Sequence, residues 1–212
     1  MLWHRGDMAE SPEDLYARVV AQVGEGGRLP MSSVAEWDVF PWEVVDGELA
    51  PKVVRPPLAE EAPRQGDPGG DPCSYCTDPK TERMIWENER WTVSTLKRAG
   101  MPLMLMLETR EHLDYTDLDD DLAAECGRIS VWLSRIMTNL PHVGRVHVMR
   151  IGDGASHLHV WHIARPVRMP GILGSLALEW DEMLPPPPEE VWRADLKAVA
   201  DRLATHDGRA LV

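Results

Sequence analysis

The chain lacks the features that would place it in a membrane or outside the cell. No apolar run in its 212 residues approaches the ~20 that a membrane-spanning helix needs. The opening Met1-Leu2-Trp3-His4-Arg5-Gly6-Asp7 has no apolar core of the kind a signal peptide requires. Cysteine is scarce, with three in all, and two of them form the close pair Cys73 and Cys76. That is too few for a disulfide framework and points to a metal site in a reducing cytoplasm. Positive charge is also in deficit: 22 Lys and Arg against 35 Asp and Glu give a net charge of −13. A general nucleic-acid binder is thereby excluded, since counterion release needs clustered cations, whereas a small anion in a locally basic pocket is not. What remains is a soluble globular composition, 43% hydrophobic and 27% charged, long enough to bury a core. Its nine tryptophans are expected in that core or at interfaces.

Local signals divide the chain. Ser11-Pro12-Glu13-Asp14 reads as a helix start, with Leu15, Val19 and Val23 on one apolar face and Gly24-Glu25-Gly26-Gly27 as its stop. Residues 37–54 hold short β-prone pieces around Asp46-Gly47, a hairpin turn. Residues 56–72 carry five prolines and three glycines and read as a linker. This divides an accessory N-terminal segment, 1–55, from a main domain over 73–212. In that domain, strands are expected at 84–86, 91–96 and 103–107. A long helix follows, with Leu122, Cys126, Ile129, Leu133, Ile136 and Leu140 in register and Asp119, Asp120 and Asp121 at its start. Strands at 145–151 and 157–164 come next, and after four prolines a last helix aligns Trp192, Leu196, Val199 and Leu203. The pattern is α+β with an antiparallel sheet.

The richest stretch is Ser156-His157-Leu158-His159-Val160-Trp161-His162. On a strand, His157, His159 and Trp161 line one face and Leu158, Val160 and His162 the other. Two imidazoles one pleat apart can divide the work between metal ligation and nucleophilic attack.

Three pieces, in order, resemble the histidine-triad superfamily: Cys73-Ser-Tyr-Cys76 followed by Trp86-Glu87-Asn88-Glu89-Arg90-Trp91; Glu108-Thr109-Arg110-Glu111-His112 with Leu118; and His157-Leu-His159-Val-Trp161. The similarity extends to zinc-bearing members such as galactose-1-phosphate uridylyltransferase. It implies an antiparallel sheet with a long helix after the third strand and a C-terminal helix. It also implies a structural zinc held by Cys73, Cys76, His112 and His157. His159 is then the nucleophile that forms a covalent nucleotidyl-histidine, with Gly154, Ser156 and Trp161 at the substrate. The implied substrate is a small phosphorylated or nucleotide molecule, split at a phosphoanhydride or phosphoramidate bond by hydrolysis or transfer, in a cytoplasmic homodimer. No membrane or nucleic-acid partner is expected. The chain departs from the family pattern at four points, one of them the short lead Gly154-Ala155-Ser156 that runs directly into His157. The third motif position is Trp161 rather than His or Gln, the acid that often holds the ribose reads as Leu96, and the usual Gly-His reads as Leu103-Met104. These departures leave open a second reading, a catalytically degenerate, zinc-stabilised protein that binds or assembles without turnover.

Overall fold

The computed structural model describes residues 9–31 and 40–212. Trp37, in the β-prone stretch expected from sequence, lies outside the described residues. The main body is a six-stranded antiparallel sheet in the order β6-β7-β5-β4-β3-β8. Its strands are β3 (Met84–Glu87), β4 (Trp91–Thr95), β5 (Leu103–Thr109), β6 (Val143–Met149), β7 (His159–Pro166) and β8 (Arg209–Ala210). A separate hairpin pairs β1 (Trp42–Val45) with β2 (Glu48–Pro51), turning at Asp46-Gly47, where φ is 52° and 85°. The architecture is α+β, and its longest helix, α3 (Asp120–Thr138), follows the third strand of the large sheet.

α3 forms where capping and periodicity agree. The Asp119 carboxylate accepts the Leu122 amide at 2.8 Å, and Asp120 and Asp121 sit in the positive first turn. Cys126, Ile129, Leu133, Ile136 and Met137 are buried along one side. That side packs with α5 (Glu189–Ala204) on one face of the sheet, over Val93, Leu105, Leu107 and Val160. Leu105, Leu107 and Leu133 are fully buried, each stabilising the fold by about 1.5–3 kcal/mol relative to exposure.

The opposite face is covered as well, which the sequence did not signal. Met104, Ile163, Met101, Ile172 and Leu184 form a second core, packed by Val19 of α1 (Pro12–Gln22) and Leu178 of α4 (Ala177–Met183). Burial on both faces explains why 103–107 is a continuous apolar run rather than an alternation. Arg18 of α1 ties this cover down, pairing with Glu10 at 2.6 Å and donating to the Pro185 and Pro186 carbonyls.

Several boundaries differ from the sequence expectation. β6 starts two residues earlier and β7 two residues later, so His157 precedes the strand it was expected to open. Its backbone leaves the ladder because Leu158 N donates instead to Leu113 O, at 2.7 Å. α4 and β8 had no clear local signal; Leu211 N reaches the Ile85 carbonyl and Trp86 Nε1 the Asp207 carbonyl, long-range contacts that create the last strand. Within the stretch expected as a linker, residues 64–71 are seated on the 150–156 loop. Gln65 N donates to Gly154 O and Ser156 N to Gln65 O, while Arg64 pairs with Asp114 at 2.9 Å. No described helix is long and apolar enough to cross a membrane.

Candidate metal centre and active site

Three segments bring Cys73, Cys76, His112 and His157 together, with one donor atom of each within 4.8 Å of the others. α2 (Ser74–Thr77) is a single turn that places Cys73 at its cap and Cys76 inside it, aiming both thiols the same way. His157 Nδ1 lies 3.6 Å from Cys73 Sγ and 3.4 Å from Cys76 Sγ, and His112 Nδ1 lies 3.6 Å from Cys76 Sγ. A tetrahedron with metal–sulfur bonds of ~2.3 Å and metal–nitrogen bonds of ~2.0 Å has sulfur–nitrogen edges of ~3.5 Å, so the spacing fits a divalent metal.

Surrounding groups set the imidazole orientation. His157 Nε2 donates to Thr109 O at 2.8 Å, leaving Nδ1 free to face the thiols. Burial holds the His157 ring below the usual histidine range, in the neutral form a ligand requires. His112 Nε2 stands 3.4 Å from Ser156 Oγ. Burial and the neighbouring Cys73 push the Cys76 thiol up to about 11, so in the metal-free chain it is held as a thiol.

Gly66 closes the cluster from the former linker. Its φ is +92°, and a Cβ there would stand 2.7 Å from both His112 Cε1 and Ser156 Oγ. Only glycine combines that backbone with that approach.

His159 opens β7 beside this cluster. Its Nδ1 donates to the His157 carbonyl at 2.8 Å, which leaves the Nε2 lone pair free. The side chain lines a cavity of about 370 Å3 that also touches Tyr75, Lys80, Arg83, Ser94 and Glu108. His162 points to the opposite face, is fully buried, and is pushed down to about 4 by burial, so it cannot substitute for His159.

The remaining expected contacts lie elsewhere. Ser156 is turned toward His112 and Gln65, its amide already committed to Gln65 O. The Gly154 carbonyl accepts from Gln65. Trp161 packs into the second core, its ring 6.2 Å from that of His159, edge to face. None of the three lines the cavity. The arginines flanking the motif are likewise occupied: Arg150 with Asp114, Arg165 with the Met169 carbonyl, Arg168 with Glu13. The cations at the cavity are Lys80 and Arg83, from the turn after the cysteine pair. No motif marks them in sequence, because only the return of β3 past α2 places them there.

Glu108 was also missed as a site residue. It is directly opposite His159 in the β5–β7 ladder and is 6% exposed. Burial pushes its carboxyl up to about 7, with the Ser94 hydrogen bond pulling the other way. From its ordinary 4.5 to about 7, the folded chain keeps a proton that the unfolded chain has released, so this group lowers stability as pH rises. Glu108→Gln is therefore expected to melt above wild type, with the gap opening from pH 5 to pH 8 toward an effect on the order of 3 kcal/mol. A pH-independent gap in thermal denaturation would show that folding does not raise the Glu108 carboxyl.

No family model matches the chain, and no curated protein matches it. Sixteen chains of solved structures do. The chain resembles histidine triad proteins. A hypothetical histidine triad nucleotide-binding protein from Sulfolobus tokodaii is 17% identical, with a TM-score of 0.47 over 63% of this chain and 93% of that one. A histidine triad protein from Bradyrhizobium japonicum is 19% identical, with a TM-score of 0.46 over 59% of this chain and 95% of that one. A zinc-bound histidine triad family protein from Mycobacterium smegmatis is 16% identical, with a TM-score of 0.44 over 64% and 95%.

Proposed function

We propose that this chain is a histidine-triad-type hydrolase or nucleotidyltransferase that breaks a phosphoanhydride or phosphoramidate bond through a covalent His159 intermediate. The observation that carries the reading is the His159 ring itself. Nδ1 is held on the His157 carbonyl, which leaves the Nε2 lone pair free, and the side chain lines a cavity that also touches Lys80 and Arg83. The Nε2 lone pair attacks phosphorus, the bond from phosphorus to the leaving oxygen or nitrogen breaks, and the leaving atom departs with that electron pair and takes up a proton. Water or another acceptor then attacks the same phosphorus, breaking the N–P bond and returning the imidazole.

Cys73, Cys76, His112 and His157 are the residues that would hold zinc. Bound there, zinc supplies a closed structural cross-link rather than an open catalytic position. The chain's own contribution is positional: a fixed His157 backbone fixes its carbonyl, and that carbonyl fixes the His159 ring.

A degenerate binding protein is favoured by one observation, the packing of half-buried Trp161 against an apolar cluster where a phosphate contact was expected. Intact-mass spectrometry separates the two readings. Zinc-loaded protein mixed with a dinucleoside polyphosphate, a nucleoside phosphoramidate and a sugar nucleotide is expected to gain one nucleotidyl mass, mapped to the His159 peptide. No adduct and no product across that panel would leave the binding protein as the surviving reading.

A further inference from the structure

Residues 64–71 contribute nothing to either apolar core, and none of them is buried. Three of the eight are glycines, which lose more backbone freedom on ordering than any other residue. The segment is nevertheless seated, so polar ties hold it.

Those ties reach all three segments that carry the cysteine–histidine cluster, each within two residues of a ligand. Ser74 Oγ, next to Cys73, donates to Gln65 Oε1 at 2.8 Å. Ser156 N, next to His157, donates to Gln65 O at 2.9 Å, within a bridge that pairs Gln65 with Ala155. Arg64 pairs at 2.9 Å with Asp114, two positions after His112.

The His112 ring is also reached directly. Its Nδ1 faces Cys76 Sγ, so a ring that keeps its lone pair there carries its proton on Nε2 and donates from it. The acceptor is Ser156 Oγ at 3.4 Å, a long hydrogen bond. That hydroxyl has its own proton left to give, and two acceptors for it lie on the segment. One is the Gln65 carbonyl at 3.3 Å. The other is the Asp67 carboxylate, which Arg64 and, more weakly, this hydroxyl hold below the usual carboxylate range. Fixing the far nitrogen of a ligating imidazole orients the ring and raises its basicity toward the metal. Linkage makes such an effect reciprocal: whatever docking of the segment adds to metal affinity, metal adds to docking. The segment has one further neighbour, since Gln65 and Ala155 line the same cavity as His159.

We propose that residues 64–71 are a working part of the metal centre, acting on His112 through Ser156, so that metal binding and the closing of this wall of the cavity are one coupled equilibrium. Ser156 and Arg64 are the positioning residues of that coupling. The proposal rests on the reading of Cys73, Cys76, His112 and His157 as metal ligands and is independent of the chemistry at His159.

Zinc affinity of the full chain, measured by competition with a chromophoric chelator, tests one direction of the coupling. Ser156→Ala is expected to bind zinc ~10–100-fold more weakly, the range for an outer partner of a ligating histidine. Ser156→Thr, which keeps the hydroxyl, should recover most of that loss. Arg64→Ala, which removes no ligand, should weaken zinc binding as well. Trypsin tests the other direction. Removing zinc from wild type is expected to speed cleavage of the Arg64–Gln65 bond by at least ~10-fold, read by mass spectrometry, while Arg128 and Arg135 inside α3 stay protected. Wild-type zinc affinity in Ser156→Ala or in Arg64→Ala overturns the proposal. So does a threonine variant as weak as the alanine one, or an Arg64–Gln65 cleavage rate indifferent to zinc. If zinc removal opens α3 too, the affinities of the variants decide. Cys73→Ser separates the underlying reading: zinc retained there refutes the ligand assignment, whereas zinc lost there with wild-type affinity in Ser156→Ala or Arg64→Ala refutes the coupling alone.

Discussion

Replacing Cys73 with serine is expected to release the metal and lower the melting temperature by at least ~10 °C. Structural zinc is bound only when its ligands are assembled, so its binding free energy is folding free energy, about 10–16 kcal/mol in small zinc domains. Losing even ~3 kcal/mol of it in a domain of this size corresponds to roughly 10 °C. The effect should be large because the ligands come from three segments: α2, the residues after β5 and the residues before β7 converge on the metal, and Gly66 is seated against the cluster. Cys126→Ser is the control. That thiol is buried on α3 away from the cluster, so its loss should cost some stability and no metal. Zinc content measured beside calorimetric melting decides the matter. Unaltered zinc and melting temperature in Cys73→Ser would refute the ligand assignment.

His159→Gly is expected to reduce turnover by at least ~1,000-fold, about 4 kcal/mol of transition-state stabilisation, and to recover part of it when imidazole is added. The loss follows from the surroundings of the ring. His157 has one nitrogen on Thr109 O and the other facing two thiols, and His162 lies on the far face among the α3 contacts. Trp161 carries no nucleophilic lone pair. None of the other three ring side chains of the motif can therefore take over the attack. The cavity left by the missing ring is the right size and place for free imidazole. The measurement is product formation on whichever phosphate substrate gives the wild-type adduct. Full activity in His159→Gly would exclude the covalent histidine route.

Much of this molecule was legible residue by residue. The α3 start at Asp119, its apolar stripe, the Asp46-Gly47 turn and the Ser11 cap are local signals, and each appears where the chain chemistry places it. The Ser11 hydroxyl accepts the Asp14 amide at 3.1 Å, and the Asp14 carboxylate takes the Ser11 amide in return. The Cys73–Cys76 spacing and the His157–His159 spacing were visible for the same reason, being short-range patterns.

The features that were missed depend on distant parts of the chain. Glu108 read as the polar end of a strand; it became a buried acid because β7 pairs on one side of it and β4 on the other. Residues 64–71 read as a linker from their prolines and glycines. They are ordered by Asp114, Gly152 and Gly154, which lie 50 to 89 positions from the residues they contact. Trp161 was placed correctly on the His159 face, but its packing depends on α1 and the 169–184 segment, which cover that half of the sheet.

The sequence by itself determined the α+β class and the position of the long helix, because capping and periodicity act over a few residues, and its short motifs carried the family resemblance that implied the candidate ligands and nucleophile. Only the tertiary structure decided that both faces of the sheet are covered, that the former linker closes on the cysteine–histidine cluster, and that an unpaired carboxyl stands beside His159. Those outcomes are set by strand register and long-range packing, where a side chain's neighbours come from elsewhere in the chain and no local pattern encodes them.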